Sequence, residues 1–222
     1  MTELHNHTGD LFQKMWEVKH PDNLAIVPHV CNVQGAWGAG FVLAISKQAP
    51  VSLRADVCPE KAYKVWYDYS QQPKGDFSIE AFHKKQDIEK RIEGANVSNP
   101  FELGNMQIVT VKRDPNQSVS DIKWSDGSQY YEVVNMLAQD GFIGKNGDKR
   151  PLRYAALVQC MLKIKDIIHL RRENNSATFP NGEIHCPEFG AGLGGGDWNI
   201  IEELIHEIWV DKDIDVHVYR LA

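Results

Sequence analysis

The sequence predicts an α/β domain in three layers, with helices on both faces of a sheet. Short β-branched runs alternate with stretches whose apolar residues recur at helical spacing. Glycine is unevenly placed: of 17 glycines, three fall in 35–40 and five in 190–196. Each cluster follows a predicted strand and precedes a predicted helix, and open α/β sheets bind ligands at such carboxyl-end loops.

Asn23–Asn32 (NLAIVPHVCN) is a buried strand on its β-branched content. It leads through the first glycine cluster into an apolar helix at Phe41–Lys47, and Pro50 ends that unit. Glu60–Ser70 is read as a second helix with Tyr63, Trp66 and Tyr67 on one side. The charged stretch 71–100 is an insertion with a solvated helix near Ile79–Ile92. Leu103–Lys112 and Tyr130–Ala138 are strands, joined by the turn-rich insertion 114–128. Pro151 opens a helix with Leu157, Met161, Ile164 and Ile168 on its buried face. Glu183–Cys186 is a strand feeding the second glycine cluster. Asp197 or a neighbour starts a helix striped by Trp198, Ile201, Ile205 and Ile208, and Ile214–Leu221 closes the chain as a strand.

Residues 1–222 are expected to form one domain with those two insertions. Hydrophobic residues at 42% and charged residues at 24% fit an ordinary globular core. No apolar run approaches the ~20 residues of a membrane helix, and residues 1–10 lack the features of a signal peptide. Four widely spaced cysteines without a C-x-x-C pair are expected as buried thiols in a reducing cytoplasm. A net charge of −6 argues against extensive nucleic-acid binding and leaves a compact anion as the expected partner. His5 and His7 form an H-x-H pair with no evident third ligand, so no metal and no cofactor is expected. Neither glycine segment is a P-loop, and a dinucleotide fingerprint forced onto 190–195 lacks its acidic partner strand.

Four landmarks in order resemble the macro domain family: Gly9-Asp10-Leu11; Ile26–Asn32 followed by Gly38-Ala39-Gly40-Phe41; Cys186 to Gly195; and Val216-His217-Val218-Tyr219. The string His29, Asn32, Gly35, Trp37, Gly38, Gly40 is similar to the branch containing the yeast ADP-ribose 1″-phosphate phosphatase and related bacterial and phage proteins. Asn135 to Gly141, Arg153 to Leu157 and Gly195 to Trp198 are similar to its bacterial members.

The resemblance implies a three-layer α-β-α macro domain with a mixed central sheet and a small-molecule ligand, ADP-ribose or a derivative. It implies that Asp10 accepts from the adenine amino group with the Leu11 N–H nearby, and that Tyr219 lies against the adenine. Gly190, Ala191, Gly192, Leu193 and Gly194 are implied to donate backbone N–H groups to the diphosphate. Asn32 and Gly38, Ala39, Gly40 and Phe41 are implied to hold the distal ribose, with Trp37 covering it. His29 is the first candidate for general acid or base, Asp197 and Asp140 are the candidate carboxylates, and Gln139 would orient water or substrate. The position of Asp197 before Trp198 also favours a helix cap, and Lys145 and Lys149, in reach of a terminal phosphate on the alternative reading, are read as solvated lysines. The expected reaction is removal of the 1″-phosphate from ADP-ribose 1″-phosphate by water. The alternatives are a non-catalytic ADP-ribose module or a glycohydrolase acting on modified protein or nucleic acid. Gly194 stands where the lysine-nucleophile glycohydrolase branch carries its aspartate, so a covalent lysine route is not expected.

Overall fold

The computed structural model describes residues 2–20, 23–33, 40–47, 102–112, 130–141, 150–173 and 181–221. The expected helix at 60–70, both insertions, Gly38 and Ala39, Trp37, Cys58 and the two loop lysines lie outside them. The described strands are β1 (Leu4–Thr8), β2 (Asn23–Asn32), β3 (Met106–Lys112), β4 (Tyr130–Gln139), β5 (Asn181–Pro187) and β6 (Val216–Arg220). The helices are α1 (Leu11–Val18), α2 (Val42–Lys47), α3 (Tyr154–Glu173) and α4 (Trp198–Ile208).

The strands form one sheet in the order β1-β6-β5-β2-β4-β3. The first five run parallel, and β3 pairs antiparallel with β4 at the edge. Side chains alternate between faces along each strand. Ile26, Val134, Met136, Ile184, Val216 and Val218 therefore pack on one face, under Leu157, Met161, Ile164 and Ile168 of α3 and Ile201 and Ile205 of α4. Ala25, Val27, Tyr131 and Val133 pack on the other, against Leu11, Phe12 and Met15 of α1 and Ile45 of α2.

β2 was expected over the same residues it occupies. α3 starts at Tyr154, three residues after Pro151. Leu152 bridges to Gln139, its N–H donates to Gly194 O (3.0 Å), and the Arg153 N–H donates to Ala138 O (2.8 Å). Those groups tie the helix entry to the sheet end, so the helix cannot begin there. β6 begins two residues later than expected, after Asp213 turns left-handed (φ 61°) and Ile214 N–H donates to Trp209 O. β1 and α1 precede the first strand expected from the sequence. Cys31, Cys160 and Cys186 are buried free thiols. Among the described residues, no helix is long and apolar enough to cross a membrane.

Arg171, in the last turn of α3, donates from both terminal nitrogens to Glu132 of β4 (2.8 and 3.0 Å), whose side chain is 3% exposed. Removing the cation leaves a buried carboxylate without this partner. Arg171→Ala is expected to cost about 3 kcal/mol in urea unfolding; a loss below ~1 kcal/mol, the range of surface pairs, contradicts this.

Candidate functional site

The strands that follow β2 in the chain, β3 and β4, lie on one side of it, and after β5 the chain passes to β6 on the other side. The carboxyl ends of β2 and β5 flank a topological switch point, where the diverging connections leave a crevice. The two glycine segments begin at those ends. They also meet: a Cβ built on Gly40 would lie 3.3 Å from Leu193 Cδ1.

The second segment is tightly wound. Gly196 N–H donates to Gly190 O (2.9 Å), Gly195 N–H to Gly192 O (3.0 Å), and Gly194 O accepts from Leu152 N–H. Gly190 adopts φ +78°, a conformation glycine takes without strain. Gly194 is needed for space, because a Cβ there would fall 2.6 Å from Gly190 O. The N–H groups of Ala191, Gly192, Leu193 and Gly194 donate to no carbonyl among the described residues. Consecutive amides of this kind make a concavity suited to an anion. Leu193, at the loop tip, is 54% exposed.

At the first segment, β2 carries a bulge between Cys31 and Asn32, so Asn32 pairs with Gln139 instead of Ala138. A bulge re-aims the following side chain. Asn32 and Gln139 thus stand side by side where β2 and β4 end, both largely buried. Gln139 Nε2 donates to Gly141 O (2.8 Å). Asp140 follows, half-exposed, 3.9 Å from Arg153. The Phe41 ring, part-buried, stacks on Phe12 (5.7 Å) and lies 5.7 Å from His29.

His29 lies inside the molecule and not at the rim. It is 1% exposed and shares the α1/α2 face with Val27 and Cys31. Its Nε2–H donates to Asn135 Oδ1 (2.5 Å). Burial pushes its pKa down to about 4, although the Asn135 hydrogen bond opposes that shift. A ring so placed is neutral near pH 7. Cys31 Sγ is 3.7 and 3.8 Å from the two ring nitrogens, about equally far from both. Burial also raises the Cys31 thiol far above its ordinary range. The Cys-His-Asn grouping is therefore not an activated nucleophile.

Asp197 caps α4: its carboxylate accepts from Asn199 N–H (2.9 Å), and its own N–H donates to the Tyr154 hydroxyl (2.8 Å). Asp10 caps α1 by accepting from Gln13 N–H (3.1 Å), at the carboxyl end of β1, while Leu11 is buried in the α1 core. Tyr219 is 4% exposed, stacks on His7 (4.9 Å), and its hydroxyl bonds His185 Nδ1 (2.7 Å).

Tyr219 belongs to a histidine ladder that sequence reasoning missed. His5, His217 and His185 occupy one register across β1, β6 and β5, with rings stacked at 4.7 and 4.5 Å. The signal was present as three period-two pairs, His5/His7, Glu183/His185 and His217/Tyr219. The H-x-H pair, His5 and His7, is half-buried and its strand pairs with β6. Burial, then the neighbouring His185, pushes His217 down to about 3, and burial lowers His185 and His7 as well. Burial raises Glu183, but hydrogen bonds from His185 and Asn23 outweigh it and hold the carboxyl low.

No family model matches the chain, and no curated protein is similar to it in sequence. Solved structures are similar in fold. A protein of unknown function from Bacteroides thetaiotaomicron is 26% identical, with 98% of each chain covered and a TM-score of 0.60. A macrodomain protein from Streptomyces coelicolor is 25% identical, with 98% of this chain and 99% of that one covered and a TM-score of 0.54. DarTG from Thermosipho africanus, solved with ADP-ribose, is 17% identical, with 98% of this chain and 42% of that one covered and a TM-score of 0.51. The chain has the fold of macrodomain proteins.

Proposed function

We propose that the chain binds ADP-ribose or a derivative along the carboxyl ends of its five parallel strands and hydrolyses the distal end, releasing the 1″-phosphate of ADP-ribose 1″-phosphate. One observation carries this reading. In sheet order, β1 leads into Asp10, β6 carries Tyr219, β5 leads into the amide loop, β2 ends at Asn32 and β4 at Gln139. That is the order of adenine, diphosphate and distal ribose in the ligand. Four strand spacings give ~19 Å, the span of an extended dinucleotide-sized molecule. The ADP-ribose complex of a protein with this fold supports the same ligand.

The anion is held by backbone N–H dipoles, so the net negative charge is no obstacle. Asn32 and Gln139 hold the distal ribose. Water attacks phosphorus, the bond from phosphorus to the ribose oxygen breaks, and that oxygen takes up a proton. Asp140, which follows Gln139 and is open to solvent, is assigned to orienting the water. His29, buried on β2, is assigned to positioning the bulged strand end through Asn135 and not to proton transfer. Asp197 is assigned to capping.

Asp140→Asn is expected to lower phosphate release from ADP-ribose 1″-phosphate at least ~100-fold while leaving ADP-ribose affinity unchanged. Asp197→Asn, which keeps a good cap, is expected to leave both unchanged. Equal turnover in Asp140→Asn and the parent removes Asp140 from the mechanism. Intact ADP-ribose binding with no phosphate released by the parent favours the non-catalytic module.

A further inference from the structure

We propose that Glu183, His185 and His217 form a binding site for a divalent first-row transition metal ion, on the α1 face of the sheet and towards the strand ends opposite the glycine loops. This inference stands apart from the ADP-ribose reading. Glu183 and His185 are two residues apart on β5 and share a face, and His217 is the register partner of His185 on β6. One ligand atom from each of the three lies within 4.8 Å of the others, and all three residues are buried.

The far side of each ligand is already held. His185 Nδ1 faces the Tyr219 hydroxyl at 2.7 Å, and His217 Nδ1 faces His7 Nε2 at 2.9 Å. These contacts leave the Nε2 edge of each ring for the ion, and His185 Nε2 is 2.8 Å from Glu183 Oε1. The carboxylate is oriented in turn by Asn23 Nδ2 (2.7 Å) and the His20 N–H (3.0 Å). Partners of this kind fix ring orientation and tautomer in metal sites.

The His185 and His217 rings are stacked, centroids 4.5 Å apart with planes 4° apart, so their Nε2 lone pairs lie in parallel planes. Binding an ion therefore requires both rings to rotate out of the stack so that their Nε2 atoms converge beside Glu183. When an ion replaces the proton between His185 Nε2 and Glu183, the ring's single proton moves to Nδ1 and is donated to the tyrosine oxygen. Two imidazoles and one carboxylate suit zinc, cobalt or iron over magnesium or calcium, which prefer all-oxygen sites. His5, stacked on the outer face of His217, is placed as packing and not as a ligand.

The test uses untagged protein stripped with chelator and titrated with Co²⁺ and with Zn²⁺, read by visible absorption and calorimetry. One ion per chain is expected, with affinity at least tenfold weaker in Glu183→Gln and His217→Gln and unchanged in His5→Gln. A parent that takes up neither ion at millimolar concentration overturns the proposal, as do two ligand variants that match the parent. If a ligand variant loses its fold by circular dichroism, Co²⁺ paramagnetic broadening in the parent decides. Broadening of the His185 and His217 ring signals supports the site; broadening confined to other histidines overturns it.

Discussion

Gly194→Ala is expected to weaken ADP-ribose binding at least tenfold, about 1.4 kcal/mol, while the rest of the domain stays folded. The added Cβ would stand 2.6 Å from Gly190 O and 3.2 Å from Gly190 C and Cα. These are backbone atoms, so the loop itself must open. Gly190 O is also the acceptor for Gly196 N–H, and that bond closes the loop. Opening it scatters the four amides from Ala191 to Gly194 that face no carbonyl among the described residues. Gly192→Ala is the matched control, since a Cβ there meets nothing within 4 Å. Its effect on stability is expected to stay within about 0.5 kcal/mol. Calorimetry with ADP-ribose on both variants checks the first claim, and thermal unfolding checks the second. Equal affinity in Gly194→Ala and the parent removes the amide loop from the ligand site.

The second large effect is on pH. His29 has an unfolded pKa near 6.5 and a folded pKa of about 4. Between those values the unfolded chain binds a proton that the folded chain does not. Stability therefore falls as pH drops from 6.5 to 4 and levels off for this group below that. The contribution is about 3 kcal/mol. Other buried histidines titrate in the same direction, so His29 is read as a difference between parent and variant. His29→Gln carries no such proton, and the stability gap between parent and variant is expected to shift by that amount between pH 7 and pH 4. Parallel stability curves across that range contradict the buried, neutral assignment.

The central strand was legible because Asn23–Asn32 meets the core on both faces and reads as a continuous apolar run. The stripe of α4 and its Asp197 cap were legible for local reasons, since periodicity and capping are written within a few residues. β1 was not legible. Of Leu4-His5-Asn6-His7-Thr8, only the first residue is apolar, and the strand's partners on β6 lie some two hundred residues away, as in the His7–His217 contact at a separation of 210. The glycine segments were legible as loops that follow strands, yet their contact through Gly40 and Leu193 depends on the sheet order. His29 was expected at the rim because it precedes Asn32 by three residues. The bulge after Cys31 turns Asn32 alone, and His29 keeps the face of Val27.

Calorimetric titration of the parent protein with ADP-ribose tests the central claim most directly. The arrangement of Asp10, Tyr219, the amide loop, Asn32 and Gln139 across five parallel strand ends predicts one site per chain. The expected affinity is low micromolar or weaker, about −7 to −8 kcal/mol. No heat at high protein concentration, with the protein folded, would contradict it.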